Sequence, residues 1–341
     1  MRKSLLALLL LAATGLVQAQ VQLREGHPER YTVVAGDTLW DISGKFLNQP
    51  WKWPQLWRAN PQVHDPDLIY PGDTLTLIYV DGQPRIVASR GESRGTIKLS
   101  PRVRSTPIAD AIPTIPLGAI NAFLLNNRII DTPEEFETAP YIVAGNGERV
   151  LSGAGDRIYA RGVFSPDHVS YGVFRKGKTY FDPETNVPLG INADDIGSGE
   201  LVAAEGDVGT LQMQRSTQEV RLGDRLFISE ERAINSTFVP SEPQQEIRGT
   251  IIDVPRGVTQ IGEFDVVTLD RGKMEGLAEG NVLAIYKAGE TVRDRITGEQ
   301  VKIPDERAGL LMVFRTYNHL SYGMVLHANR SLAVSDRVRN P

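Results

Sequence analysis

Alternating apolar and polar positions over Tyr31 to Val34 give way at Ala35-Gly36 to a helical spacing in which Leu39, Ile42 and Phe46 share one face. This change of period predicts a strand turned directly into a helix. Thr38 and Asp41 stand three apart at the helix start, the spacing of a capping box. A second helix is expected from about Trp53. Pro54 fits its first turn, where a missing N–H has no helical partner to lose, and Leu56 and Trp57 extend the apolar face at i+3 and i+4. Asn60-Pro61 ends that helix, Ile69 to Gly72 makes a turn, and Leu75 to Tyr79 reads as a closing strand. The two ends of the segment carry one tetrapeptide twice, Gly36-Asp-Thr-Leu39 and Gly72-Asp-Thr-Leu75.

Beyond Asp81 the pattern changes. Residues 81–139 are expected to form a connector: RGTIKLSPRVRS reads as a strand, prolines interrupt at 107, 113 and 116, and PLGAINAFLLNNRIID reads as a short helix. The remainder repeats at an offset near 112. Tyr159-Ala-Arg-Gly162 parallels Leu269-Asp-Arg-Gly272, Val173-Phe-Arg-Lys-Gly177 parallels Ile285-Tyr-Lys-Ala-Gly289, and Asp182-Pro-Glu-Thr185 parallels Asp294-Arg-Ile-Thr297 as a hairpin turn. Gly209 pairs with Gly323, and Gly223-Asp-Arg-Leu226 with Ser335-Asp-Arg-Val338. Short Val/Ile/Leu/Tyr runs between Gly-Asp and Pro turns predict two β lobes of barrel or sandwich type, over 140–232 and 247–341, joined by a Ser/Pro/Gln-rich linker at 233–246. The fold class is thus α+β, a small βααβ module followed by mostly-β repeated lobes. The Gly-Asp-Arg motifs precede strands and are read as turn chemistry: glycine for the bend, aspartate to accept local backbone hydrogens.

Composition narrows the chemistry. The five histidines (His27, His64, His168, His319, His327) form no H-x-H or H-E-x-x-H set, so no metal site is expected and the last two are read as strand or turn residues. With no cysteine there is neither a disulfide framework nor a thiol nucleophile, and neither G-x-S-x-G nor S-x-x-K occurs. A glycosidase needs only two suitably spaced carboxylates. Asp194-Asp195 and Asp305-Glu306 are the notable pairs, read here as solvated charges in Gly/Pro-bounded turns. No cofactor is expected. Arg2 and Lys3, an apolar run from Leu5 to Ala13 and the small-residue end Val17-Gln18-Ala19 match an export leader over 1–19, cleaved after Ala19, with no cysteine following to carry a lipid. Its loss takes two basic residues from 37, leaving 35 against 42 acidic ones, a charge of −7. Such a chain is a poor nucleic-acid binder.

Residues 31–79 resemble a LysM domain on the paired GDTL motifs with N-P and IYPG between them. The resemblance implies a βααβ fold binding N-acetylglucosamine polymers such as peptidoglycan. By it, the groove falls between Gly36, Asp37, Thr38 and Leu39 on one loop and Asn60, Pro61, Ile69, Tyr70 and Pro71 on the other. Gly-rich and Pro-rich turns can offer N-acetyl groups main-chain partners and a small apolar pocket. All four tryptophans lie in this segment; Trp53 and Trp57 are expected in the core at helical spacing, with Trp51 in a loop that could go either way. Leader, LysM segment and long β-rich tail together resemble the secretin-associated protein family of type IV pili. That resemblance implies a periplasmic, non-enzymatic adaptor, one end on peptidoglycan and the lobes at an outer-membrane secretin, with oligomerisation on the partner. The competing expectations are a wall glycosidase targeted by its LysM module and a wall-binding structural protein unrelated to pili.

Overall fold

The computed structural model describes residues 21–57, 69–89, 120, 123, 127–148, 151–165, 167–229, 238–255 and 260–341. The expected leader, the RGTIKLSPRVRS strand and most of the PLGAINAFLLNNRIID helix lie outside the described residues. Two compact units divide the chain, 1–112 and 113–341.

In the first unit, β1 (Arg30–Thr32) leads to helix α1 (Leu39–Phe46), a 3-10 turn at Pro50–Lys52, helix α2 (Trp53–Trp57), then β2 (Thr74–Val80) and β3 (Gln83–Ser89). The expected elements appear in order. Thr38 caps α1 as the capping box requires: its Oγ1 accepts from Asp41 N–H at 3.1 Å, and Asp41 Oδ2 accepts from Thr38 N–H at 3.3 Å. Leu39, Ile42 and Phe46 point into one core with Trp53, Leu56 and Leu75. The connector was expected from Asp81, but the sheet continues for another strand in the antiparallel order β1-β2-β3. Asp81 and Gly82 both take positive φ, 51° and 74°, the two-residue hairpin that an Asp-Gly pair favours.

The second unit is mostly β. It contains β4 (Asn127–Ile130), helix α3 (Pro133–Thr138), β5 (Tyr141–Gly145), β6 (Leu151–Ser152), β7 (Arg157–Arg161), β8 (Ser170–Phe181), β9 (Pro188–Glu205), β10 (Val208–Ser216), β11 (Val220–Arg221) and β12 (Arg225–Ile228). After the joint come β13 (Arg248–Asp253), β14 (Val266–Leu269), β15 (Val282–Lys287), β16 (Thr291–Arg293), β17 (Gln300–Lys302), β18 (Glu306–Thr316), β19 (Ser321–Ala328) and β20 (Arg337–Arg339). The first lobe runs β10-β7-β5-β12-β8-β9, and a further pairing of β10 with β9 closes these six into a ring, β4 branching off β9. The second is a closed barrel, β13-β14-β19-β18-β15-β20. Taken strand for strand, the two circular orders are the same, so the repeat legible in the sequence is a repeat of topology.

Register refines the alignment. Leu226 faces Val173 as Val338 faces Ile285, an offset of 112. Over β5 and β7 the offset is 109: Ile142 faces Ala160 as Ile251 faces Leu269. Leu211, facing Ile158, therefore matches Gly323, facing Val267. This corrects two expected pairings, Gly209 with Gly323 and Tyr159 with Leu269; length changes in the loops before β8 absorb the difference.

Three further expectations are corrected. Asp194 and Asp195 lie inside the long strand β9, not in a turn. The glycines beside them mark close backbone approach, since a Cβ on Gly197 would meet the Arg215 carbonyl oxygen at 2.3 Å. Asp195 is buried and holds Arg215 at 2.7 Å, while burial raises the Asp194 carboxyl above its usual range against the pull of Arg175. Asp305 is likewise nearly buried, accepting from Gly289 N–H at 3.1 Å and Arg339 at 2.6 Å, bonds that hold its carboxyl low. The expected linker is no free tether in its described part: Phe238 is buried, and Ser241 bridges to Asn281 of the second barrel.

Asp224 and Asp336 occupy one position in the two repeats but differ in load. Each accepts the N–H three residues back at 2.8 Å, yet only Asp224 also clasps a guanidinium, Arg175, through two bonds of 2.8 Å. The residue matching Arg175 is Lys287, which bonds the Ser331 carbonyl instead. Asp224→Ala is therefore expected to cost about 3 kcal/mol by stranding a mostly buried guanidinium, and Asp336→Ala about 1–2 kcal/mol. Chemical denaturation of the two variants checks the order; equal losses would refute it.

Candidate functional site

The GDTL tetrapeptides build their corner of the LysM-like module by one device used twice. In the first, Val34 N–H donates to Asp37 Oδ2 at 2.9 Å, Asp37 N–H returns to the Val34 carbonyl at 3.2 Å, and Gly36 between them takes φ 94°. In the second, Tyr70 N–H donates to Asp73 Oδ2 at 3.0 Å, Asp73 N–H returns to Tyr70 at 3.0 Å, and Gly72 takes φ 97°. Only glycine adopts such φ without strain, and the carboxylate satisfies an N–H that has left the sheet ladder. The leucines that follow, Leu39 and Leu75, anchor both turns in the core.

The two turns are tied together. Val33 N–H donates to the Asp73 carbonyl at 2.9 Å and Gly72 N–H to the Val33 carbonyl at 2.8 Å. Two loops distant in sequence thus form one surface, as the resemblance implied for Gly36 to Leu39 and Ile69 to Pro71. Asn60 and Pro61 lie outside the described residues.

Each expected residue has a distinct place on that surface. Gly36 is exposed, and a Cβ there or on Gly72 would meet no atom within 4 Å, so main chain faces open space at both turns. Tyr70 and Pro71 are half-buried. The side chains of Leu39 and Ile69 are fully buried, shaping the floor from below. Thr38 is buried and spent on the helix cap, and Asp37 Oδ2 also accepts from Tyr31 Oη at 2.9 Å. All four tryptophans are buried, Trp51 included, with Trp53 and Trp57 edge to face at 6.4 Å. None offers a face for stacking on a sugar ring. What remains accessible is main chain at Gly36 and Gly72, with the exposed Val34 and the half-buried Tyr70 and Pro71 as side chains. Val34 is an exposed apolar residue beside these turns that sequence reasoning passed over; its outward place in the alternation of the first strand was the available signal.

Among the described residues no cluster of His, Asp and Glu has metal-site geometry, and no helix is long and apolar enough to cross a membrane. His319 bonds the half-buried Glu275 and His327 the exposed Glu263, each at 2.8 Å. A polar cavity of about 480 Å³ in the second unit is lined by both signs of charge, including Arg128, Asp195, Arg215 and Lys273.

Burial first, and the bond to Asp37 second, push the Tyr31 phenol up to about 12. A raised folded-state value means that its stabilising contribution is whole below the unfolded tyrosine value of about 10 and is lost as pH rises through about 12. Because every tryptophan lies in this module, intrinsic fluorescence follows its unfolding in the intact chain. Asp37→Ala is expected to destabilise that transition by about 1–3 kcal/mol, and Tyr31→Phe to be less alkali-sensitive than the parent. An unchanged fluorescence transition in Asp37→Ala would refute the structural role.

Comparison with known proteins agrees with this geometry. Residues 31–77 match the LysM domain family. The uncharacterized protein YqbP of Bacillus subtilis (strain 168) is 52% identical over 36 residues, 11% of this chain and 16% of that relative. The chain is therefore similar to about a sixth of YqbP's length. A LysM domain is present, and LysM domains bind peptidoglycan and related N-acetylglucosamine glycans.

Proposed function

We propose that this protein is a non-catalytic periplasmic adaptor that grips peptidoglycan through its LysM domain and holds a protein complex, an outer-membrane secretin of the type IV pilus class, through its paired barrels. The observation that carries the glycan half is the pair of reciprocal bonds joining the Val33 and Asp73 loops, which sets open main chain at Gly36 and Gly72 on one surface within a matched LysM domain. Amide and carbonyl groups there suit N-acetyl recognition, and the buried leucines keep the loops in register.

Support for the adaptor half is architectural. Two barrels of one topology offer large outer surfaces, and a shallow sugar site gains strength when several copies engage one polymeric wall. Of the acidic pairs singled out in the sequence, Asp195 is engaged by Arg215, and Asp305 by the Gly289 N–H and Arg339, bonds that hold the Asp305 carboxyl below its usual range. The export leader and the cysteine-free composition fit an oxidising compartment outside the cytoplasm.

Sedimentation with purified peptidoglycan tests the reading. The full chain is expected in the pellet, and a chain lacking residues 31–89 in the supernatant; the deletion runs to Ser89 because β3 belongs to the module's sheet. Retention of the deleted chain would remove the glycan assignment. Soluble muropeptides released on incubation, and abolished by an acidic-residue substitution, would replace the adaptor with a glycosidase.

A further inference from the structure

The two barrels carry the same arm and meet opposite fates. In the first repeat β8 and β9 extend past the barrel as a hairpin closed at Asp182, whose carboxylate accepts from Glu184 and Thr185 N–H at 2.8 Å. In the second, β16 and β17 prolong β15 and β18 in the same way, closed at Asp294, which accepts from Ile296 N–H at 2.7 Å. The turn bonds match one for one at an offset of 112: Asn186 N–H to Asp182 at 2.8 Å and Gly298 N–H to Asp294 at 2.9 Å. One difference is a bulge that skips Leu189 in the first arm, where the second pairs Val292 directly with Val301.

The first arm lies on the second barrel. Lys178 Nζ reaches Asp253 at 2.7 Å, Tyr180 Oη donates to the same carboxylate at 2.9 Å, and Gly190 packs so close that a Cβ would stand 3.0 Å from Leu320 Cδ1. Tyr180 and Leu189 on this arm are 3% and 8% exposed. Their counterparts at the offset of 112, Val292 and Val301, are also apolar yet 38% and 47% exposed, with Ile296 projecting at the tip.

The receiving end shows the mirror of this contrast. On the second barrel Leu320, beside Gly190 of the arm, is 0% exposed, and Phe314 in this junction, packed on the Phe123 ring, is 1% exposed. Register identifies their equivalents on the first barrel: Val202, skipped between the Thr210–Ala203 and Leu211–Leu201 pairs as Phe314 is between Tyr322–Arg315 and Gly323–Val313, and Val208, which precedes Gly209 as Leu320 precedes Ser321. They are 56% and 39% exposed, with the exposed Val163 beside them through the Gly162 N–H to Asp207 bond of 2.9 Å. One chain thus presents an uncovered apolar arm on its second barrel and an uncovered apolar end on its first, and already contains one copy of the contact that would join them.

We propose that the β16–β17 arm of one molecule docks on the Val163, Val202 and Val208 end of the first barrel of a second copy, repeating between chains the contact that joins the barrels within each. Such a contact is heterologous, head to tail, and propagates into a ring or a filament according to whether its rotation closes. The ion pair of the internal contact has no counterpart, since Glu290 and Ala144 stand where Lys178 and Asp253 do. The intermolecular contact therefore rests on apolar burial and responds weakly to salt. This inference is independent of the glycan assignment.

Sedimentation velocity of the full chain at rising concentration tests it, with Val301→Asp for the arm and Val202→Asp for the end, both at exposed positions. The parent is expected to form dimers and longer species with little dependence on salt, and each variant to associate at least about tenfold more weakly. Mixing the two variants is decisive, because each keeps the half that the other lacks: the mixture is expected to form heterodimers and nothing longer. A second arm variant, Ile296→Asp, guards against misfolding of the first. A parent chain that stays monomeric at every concentration, association indifferent to the substitutions, or an arm that captures only another protein while the chain remains monomeric would each overturn the proposal.

Discussion

Seven tight turns among the described residues are closed by one interaction, a side-chain oxygen at the fourth position accepting the N–H of the first. They span 34–37, 70–73, 153–156, 221–224, 262–265, 278–281 and 333–336, with N–H to oxygen distances of 2.8–3.0 Å. In every case the third residue sits at positive φ, between 66° and 97°. A chain that leaves a strand must satisfy the N–H it withdraws from the ladder, and an aspartate or asparagine three residues on does so without help from elsewhere. Five of the seven use glycine at the left-handed position; Phe264 and Ser335 hold it with side chains. Those two lie in the second barrel at positions where the first has Gly155 and Gly223.

From this local rule the larger architecture follows. In the LysM domain two such turns are bound to one another, so the two ends of the domain meet at a surface of open main chain. In the barrels they recur at matched places, where Gly155 N–H donates to Met213 as Phe264 N–H does to Val325, at 2.9 and 2.7 Å. The same corner thus sets both the register of β7 with β10 and that of β14 with β19. The open main-chain surface depends on this, because its geometry is only as fixed as the turns beneath it.

Duplication leaves the repeats unequal in what covers them. Within the second unit, the arm of the first barrel and the end of the second are used up on each other. An aromatic group of Phe123, Phe314 and Tyr322, with ring centroids 4.7–6.2 Å apart, fills the junction. The outer arm and outer end keep apolar character with nothing among the described residues to bury it, and water penalises that exposure whatever its origin. An electrostatic difference accompanies the asymmetry: the first repeat spends Arg175 on Asp224, whereas the second offers Lys287 to a carbonyl.

Local rules acting over a few residues were legible in the chain by itself: the change of period that makes β1 and α1, the Thr38–Asp41 cap, the Gly-Asp turns and the existence of a repeat. Each depends on neighbours in sequence, so composition and spacing suffice. The Asp-Gly pair at 81–82 carried a hairpin signal of the same kind, obscured by the prolines that follow. Closure of each barrel, the 109-residue offset over β5 and β7 and the burial of Asp195 were decided only by tertiary structure. A glycine inside β9 looks in sequence like a turn, and only the crossing of Arg215 explains why no Cβ fits at Gly197. For the same reason Val202 and Phe314 are merely two apolar strand residues until the barrels are assembled: burial belongs to a pair of surfaces, and the sequence of one of them does not contain it.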